Sequence, residues 1–384
     1  MCLPPSRLWS RRAEMRRAAP VAAALVILSE AALALDDGGY DWPLPDWMPR
    51  PPVPEDNPMS AAKVALGRHL FYDSRLSGDG TVACASCHDP ARAFTDGRET
   101  AVGIHGTVGN LNAPQLANVA YLPVNAWANP HMTSLEFQAL VPLFGEAPDE
   151  MGATGQEDRI FATLAADPYY AEGFARAFPD RPAPDLFTVT RALGAFQRSL
   201  MSFDSPYDRF KYGGDLDALS DAAKRGEQLF FDHRFECYHC HQGVLFTDNF
   251  QREGSPWVET GFHNTGLYAE YPACAPGRIE ITGEPGDAGL FRTPSLRNVA
   301  VTAPYMHDGS IPDLRAVLAH YARGGREGHA NQDGMIVGFD ATEAEIDDII
   351  AFLESLTDET FLTNPDHADP WPADHPARIN RADP

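Results

Sequence analysis

Two pentapeptides set thiols and an imidazole at fixed spacing: Cys84-Ala-Ser-Cys87-His88 and Cys237-Tyr-His-Cys240-His241. One helical turn of this pattern puts both sulfurs and the ring against one porphyrin edge. The thiols can then form thioethers to the vinyl groups, and the histidine can bind the iron. Zinc would ask for further Cys or His pairs at ligand spacing, and Cys274 stands alone. A dithiol redox pair would leave a histidine unexplained after both copies. The spacing predicts two covalent c-type haems, attached at Cys84, Cys87, Cys237 and Cys240, with His88 and His241 as proximal ligands.

The far side of each iron separates the possible functions. An electron carrier uses six-coordinate iron, commonly His and Met, whereas an oxidase or peroxidase keeps one face open. The stretch from Asp313 places Leu314, Val317, Leu318 and Tyr321 on one helical face, ending at Gly324-Gly325. Periodicity alone makes Tyr321 a core residue of the last turn.

The elements that must hold these groups occur twice. Gly67-Arg-His-Leu70-Phe71-Tyr72-Asp73 precedes the first motif, and Gly226-Glu-Gln-Leu229-Phe230-Phe231-Asp232 precedes the second. This predicts a mainly α fold of two cytochrome c-like haem domains, residues 59–212 and 213–361, meeting near Tyr212-Gly213-Gly214-Asp215. Thr342-Glu-Ala-Glu345 reads as a capping box opening a helix with Ile346, Ile349, Ile350 and Leu353 turned inward. Residues 35–58, rich in proline, read as an extended surface strap. Residues 362–384 read as a loose tail.

Arg7, Arg11, Arg12, Arg16 and Arg17 precede an apolar run over 18–28, and Ala32-Leu33-Ala34 follows. That is the layout of a secretory signal, residues 1–34, cleaved near Ala34, with Met15 as an alternative start. A membrane anchor is the competing reading, but Ser29 and Glu30 interrupt a run already short for a span. The expected location is the periplasm, with no membrane span after cleavage. Among 384 residues the net charge is −24, which argues against nucleic-acid binding and against an anionic membrane surface. Loss of Cys2 with the signal would leave Cys274 as an unpaired buried thiol.

Phe291-Arg-Thr-Pro294-Ser-Leu-Arg297-Asn298 and Thr302-Ala-Pro304-Tyr305-Met306-His307-Asp308-Gly309 resemble the signature of the bacterial di-haem cytochrome c peroxidase and MauG superfamily. The resemblance covers roughly residues 40–362. In that superfamily the second haem's distal ligand follows the signature histidine by fourteen residues. It is Met in the peroxidases and Tyr in MauG-like enzymes. Here that position is Tyr321. Trp42-Pro-Leu-Pro-Asp-Trp47, Asn57-Pro-Met59-Ser60, Trp127-Ala-Asn-Pro130, Phe144-Gly145-Glu146 and Phe262-His-Asn-Thr-Gly266-Leu267 look like the MbnH-type branch. That branch implies peroxide-driven conversion of a tryptophan on a partner, MbnP, to kynurenine, making a copper site there. The oxidising charge would be shared over both haems.

The same resemblance assigns further roles. Trp127, otherwise a core tryptophan, takes the place of the relay between the haems. Gln138, Pro142 and Glu150 take the first haem's distal pocket. The spacing leaves Glu146, Asp149 and Glu150 as rival acids, and Glu150 is preferred as the proton shuttle. Asn112, Thr302 and Pro304 match an inter-haem calcium site of oxygen ligands, with His307 nearby. His105 lies near the place of a removable ligand to the first haem. Phe235 stands where MauG has its exit tryptophan, so Trp257, Tyr238 and Tyr268 are candidate exits. The partners implied are hydrogen peroxide and either an MbnP-like protein or a small redox protein feeding a peroxidase. A di-haem carrier is the non-enzymatic alternative, and it would leave a distal acid and a bridging tryptophan without purpose.

Overall fold

The computed structural model describes residues 39–326 and 328–379. The expected signal, residues 1–34, lies outside that span. Among the described residues the chain is mostly helix and loop, with one two-stranded pairing of Phe262–His263 against Phe291–Arg292.

Each haem motif is preceded by a capped helix. Ser60 caps Ala61–Phe71 by accepting from the Lys63 amide at 3.2 Å, and Ser220 caps Asp221–Phe230 by accepting from Ala223 at 3.1 Å. The first helix packs on Leu186–Arg198 and the second on Glu343–Glu354. Both contacts are backbone-close at one glycine. A Cβ on Gly67 would lie 1.9 Å from the Ala192 carbonyl oxygen, and one on Gly226 would lie 1.9 Å from that of Asp348. Each glycine thus lets two helices touch where no side chain fits.

Above each contact stands an aromatic group. Phe71 meets Phe196 at 5.2 Å and Phe94 at 5.8 Å, while Phe230 meets Phe352 at 5.2 Å and Phe246 at 6.2 Å. Two hydrophobic cores follow, one around Leu66, Phe71 and Phe196 and one around Phe230, Leu318 and Phe352. The predicted capping box forms, with Thr342 and Glu345 satisfying each other's amides. Ile349 and Leu353 of that helix are buried, whereas Ile346 and Ile350 are half-buried.

The proline-rich segment packs against residues from both halves. Trp42, Met48 and Met59 join a third core with Tyr121, Phe203 and Leu245, and Trp47 stacks on Tyr212 at 4.1 Å. A buried ion pair adds a polar tie. Arg297 donates to both oxygens of Asp208 at 2.6 and 2.8 Å and to the Val244 carbonyl at 2.9 Å.

The C-terminal segment differs from the expected loose tail over its described part. Trp371 and Ala377 are buried in the first core. The Trp371 indole donates to the His69 carbonyl at 3.0 Å, and the Ala377 carbonyl accepts from Ser74 at 2.9 Å. Pro365 opens a short helical turn, Pro365–His367, and the irregular chain beyond it is held because a tryptophan buries a large apolar area.

Candidate active site

Each Cys-x-x-Cys-His segment folds as a tight turn followed by a loop that returns beneath the histidine. The Cys87 amide donates to the Cys84 carbonyl at 3.2 Å, and the Cys240–His241 turn closes with the His241 amide on the Cys237 carbonyl at 3.0 Å. Nδ1 of His88 bonds the Phe94 carbonyl at 2.6 Å, and Nδ1 of His241 bonds that of Phe246 at 2.9 Å. An imidazole donating from Nδ1 keeps its Nε2 lone pair for a metal. Both acceptors sit on left-handed residues, Phe94 at φ 65° and Phe246 at φ 53°, an arrangement that costs about 1–3 kcal/mol each. Its occurrence in both halves indicates one shared role, which is to hold an imidazole in a fixed direction. Burial lowers the pKa of both histidines, so the neutral, ligating form prevails.

The second motif opens on a cavity of about 240 Å³. Cys237, Cys240 and His241 line it, and so does Tyr321. The Tyr321 hydroxyl has no hydrogen-bond partner among the described residues, and burial followed by the nearby thiols raises its pKa. An inward phenol without a partner is costly unless something else satisfies it. An imidazole, two thiols and an orphan phenol around one apolar hollow fit an iron porphyrin. The cavity also reaches Trp127, Asn112, Thr302, Pro304 and His307. The sequence-predicted relay and calcium residues are therefore brought together with the second motif.

Hydrogen bonds fix those residues. Trp127 donates from its indole to the Asn112 carbonyl at 2.8 Å, and the Asn112 amide donates to the His307 carbonyl at 2.8 Å. The Asn112 side-chain nitrogen donates to the Arg98 carbonyl at 2.8 Å, leaving its oxygen turned elsewhere. His307 stacks on Phe291 at 3.6 Å, burial pushes it down to about 4, and its Nε2 is buried without a partner.

At the first motif burial pushes Cys84 and Cys87 up to about 12, with the Glu150 carboxylate adding to both. Glu150 is thus the acid of the three that the motif senses. Glu146 is exposed, and Asp149 keeps one oxygen buried without a hydrogen bond. Burial also raises the Glu150 carboxyl. The Pro142 carbonyl accepts from Met151 at 3.0 Å, joining the Leu140–Phe144 helix to the Glu150 loop. Gln138 is half-buried, and its side chain makes no hydrogen bond among the described residues. His105 points outward, with its side chain 72% exposed and 3.6 Å from Asp79.

Sequence reasoning missed a cationic clamp in the cavity wall. His263 bonds Asp248 through Nε2 and Asp333 through Nδ1, both at 2.6 Å, and these carboxylates, Asp248 foremost, raise its pKa. The three residues are far apart in the chain, so no spacing announced them. Cys274 also departs from expectation. It is half-buried where a buried side chain is expected.

The candidate exits are placed unequally. Phe235 is buried against Phe339 at 4.7 Å, while Trp257 is 71% exposed. Tyr238 bonds His233 Nδ1 at 2.8 Å and Tyr268 donates to Asp308 at 2.5 Å.

Residues 61–216 match the family model described as di-haem cytochrome c peroxidase. The methylamine utilization protein MauG of Methylorubrum extorquens is 37% identical over 308 residues, covering 80% of this chain and 82% of that protein. The chain belongs to the di-haem cytochrome c peroxidase family. The chain is also similar to the cytochrome-c peroxidase IdrP1 of Pseudomonas sp. (strain SCT), 36% identical over 81% of this chain and 84% of that protein. A solved structure, described as a MauG-like protein associated with microbial copper homeostasis, superposes with a TM-score of 0.84 at 45% identity. It covers 87% of this chain and 100% of that one. The family is one of oxidoreductases, and family membership implies two c-type haems. No helix among the described residues is long and apolar enough to cross a membrane.

Proposed function

We propose that this chain is a periplasmic, peroxide-dependent di-haem oxidase that oxidises a tryptophan of a partner protein. The observation that carries this reading is Tyr321, an unpartnered phenol lining one cavity with His241. Cys84, Cys87 and His88 would hold the first haem, and Cys237, Cys240, His241 and Tyr321 the second. When bound, the two haems supply peroxide reduction and hold the oxidising equivalents it yields.

The protein's own groups do the rest. Glu150, whose carboxyl burial raises, accepts a proton from one peroxide oxygen as the carboxylate and returns it to the other. Gln138 and Pro142 shape that pocket. Trp127, held by Asn112, offers an indole through which charge passes between the halves. Asn112, Thr302 and Pro304 supply oxygens for a calcium ion beside it. Tyr321 would hold the second haem through an oxygen that, once bound and deprotonated, would suit an oxidised iron better than a thioether does; a side chain of a partner oxidised at a distance needs no small-molecule pocket.

The partner is an MbnP-like protein whose tryptophan becomes kynurenine at a copper site. The likeness to a structure associated with copper homeostasis supports this choice. The second reading is a peroxidase fed by a small redox protein, favoured by the similarity to IdrP1.

Electron paramagnetic resonance and near-infrared absorption of the ferric protein test the proposal, before and after stoichiometric peroxide. One high-spin and one low-spin haem are expected, with a peroxide-induced near-infrared band that Tyr321→Met abolishes. Two low-spin haems indifferent to peroxide would leave an electron carrier. Thioether ligation in the wild type would remove Tyr321 and favour the peroxidase.

A further inference from the structure

The loop entering the second haem motif carries a second set of metal donors. His233, Glu236 and His239 follow one another at intervals of three residues, and their donor atoms all lie within 4.8 Å of one another. The loop gathers them because Glu236 adopts the left-handed conformation at φ 55°, with its amide on the Asp232 carbonyl at 3.2 Å.

The cluster is not an ordinary surface ion pair. His239 Nε2 lies against Glu236 Oε2, yet that oxygen is buried and accepts no hydrogen bond among the described residues. Arg234, two residues before Glu236, pairs with Glu345. Nδ1 of His233 lies 4.0 Å from the other carboxylate oxygen, with its side chain 88% exposed. Two imidazole nitrogens and a carboxylate thus converge, with no cation among the described residues between them.

We propose that His233, Glu236 and His239 form a surface site for a borderline divalent transition metal, copper(II) or zinc(II), beside the second haem motif. The donor set decides the class. Calcium and magnesium favour all-oxygen shells, whereas imidazole suits zinc and copper, and copper(II) binds such donors most tightly of the divalent series. A zinc ion holds nitrogen donors at about 2.0–2.1 Å, so its ligands stand about 3–3.5 Å apart, and small side-chain rotations of the exposed His233 reach that spacing. Three protein ligands leave at least one position for water or a partner's donor. Tyr238, which bonds His233 Nδ1, must release that nitrogen as the ion binds. The flanking Cys237 puts the ion at the edge of the second haem attachment, where Glu236 also lines the cavity.

Titration of the haem-loaded protein with copper(II) sulfate, read by electron paramagnetic resonance, tests the site. One equivalent should bind with hyperfine coupling to two nitrogens. His233→Ala and His239→Ala should each weaken binding by about a hundredfold, the upper end of what losing even an outer-shell partner costs. Glu236→Gln, which preserves the loop's shape, should weaken it in the same direction. Zinc(II) in large excess should compete with the copper, and calcium(II) should not. Binding that is indifferent to all three substitutions, or displaced by calcium, would overturn the proposal.

Discussion

The indole nitrogen of Trp127 donates to the backbone carbonyl of Asn112 at 2.8 Å, and Asn112 in turn donates to the carbonyl of His307. The indole is therefore oriented by the strand of residues proposed to hold calcium. Arg292 braces it from the other side, its amide on the Trp127 carbonyl at 2.7 Å and its guanidinium 6.0 Å from the ring. Trp127→Phe keeps an aromatic ring but removes the donor and raises the ring's oxidation potential. Substrate oxidation should fall by about tenfold or more, equal to about 1.4 kcal/mol of barrier. The reaction of peroxide with the first haem should persist. Stopped-flow absorption separates the two, and equal loss of both would deny Trp127 a relay role.

Glu150 yields a prediction in rate and another in pH dependence. Glu150→Gln removes the proton shuttle and should slow peroxide consumption by about a hundredfold to ten-thousandfold. Burial raises the carboxyl above 4.5, so the folded chain keeps this proton to higher pH than the unfolded chain does. Between the two values folding takes up a proton, and stability falls as pH rises. The variant and the wild type should thus be equally stable below that window, and the variant more stable above it. Urea unfolding across pH checks this, and parallel curves would mean Glu150 is solvated.

The haem motifs and their preceding helices are legible because local spacing specifies both. Cys-x-x-Cys-His is closed within one turn, and the aromatic-Asp ending recurs with the glycine that meets the opposing helix. Tyr321 is not legible by periodicity, since a core tyrosine and an inward ligand share one helical face. Its standing comes from its distance to His307. The His263 clamp is invisible in the sequence, because Asp248 and Asp333 reach it only through tertiary folding. The C-terminal segment escapes sequence reading for a related reason. Irregular backbone has no period, so burial of Trp371 leaves no trace in the pattern.

That segment carries a stability prediction. Trp371 is buried among His69, Tyr169 and Tyr170, and Arg75 lies 5.7 Å over its ring. Trp371→Ala should destabilise the first core by about 3–5 kcal/mol. Truncation after Leu362 should do at least as much. The loss should appear in thermal unfolding of the haem-loaded protein. A truncated chain of unchanged stability would show that the segment rests on the surface.

Gly226 lets the helix before the second motif meet Glu343–Glu354. The two effects of Gly226→Ala oppose each other, so magnitude decides. Alanine improves an exposed helix by about 1 kcal/mol over glycine. Here the new Cβ would lie 1.9 Å from a carbonyl oxygen, which is backbone and cannot swing away. The helices must part, and overpacking of this kind costs about 1–3 kcal/mol before the aromatic group above is disturbed. The net effect should be destabilising, and Gly67→Ala should do the same to the first half through Ala192. Because Phe230 and Phe246 stand between this contact and His241, Gly226→Ala should also lower haem attachment at the second motif relative to the first. Haem content per chain, with mass spectrometry of the two motif peptides, reads the asymmetry. Equal attachment at both motifs, with stability within about 0.5 kcal/mol of the wild type, would show that the helices separate at no cost to the haem cradle.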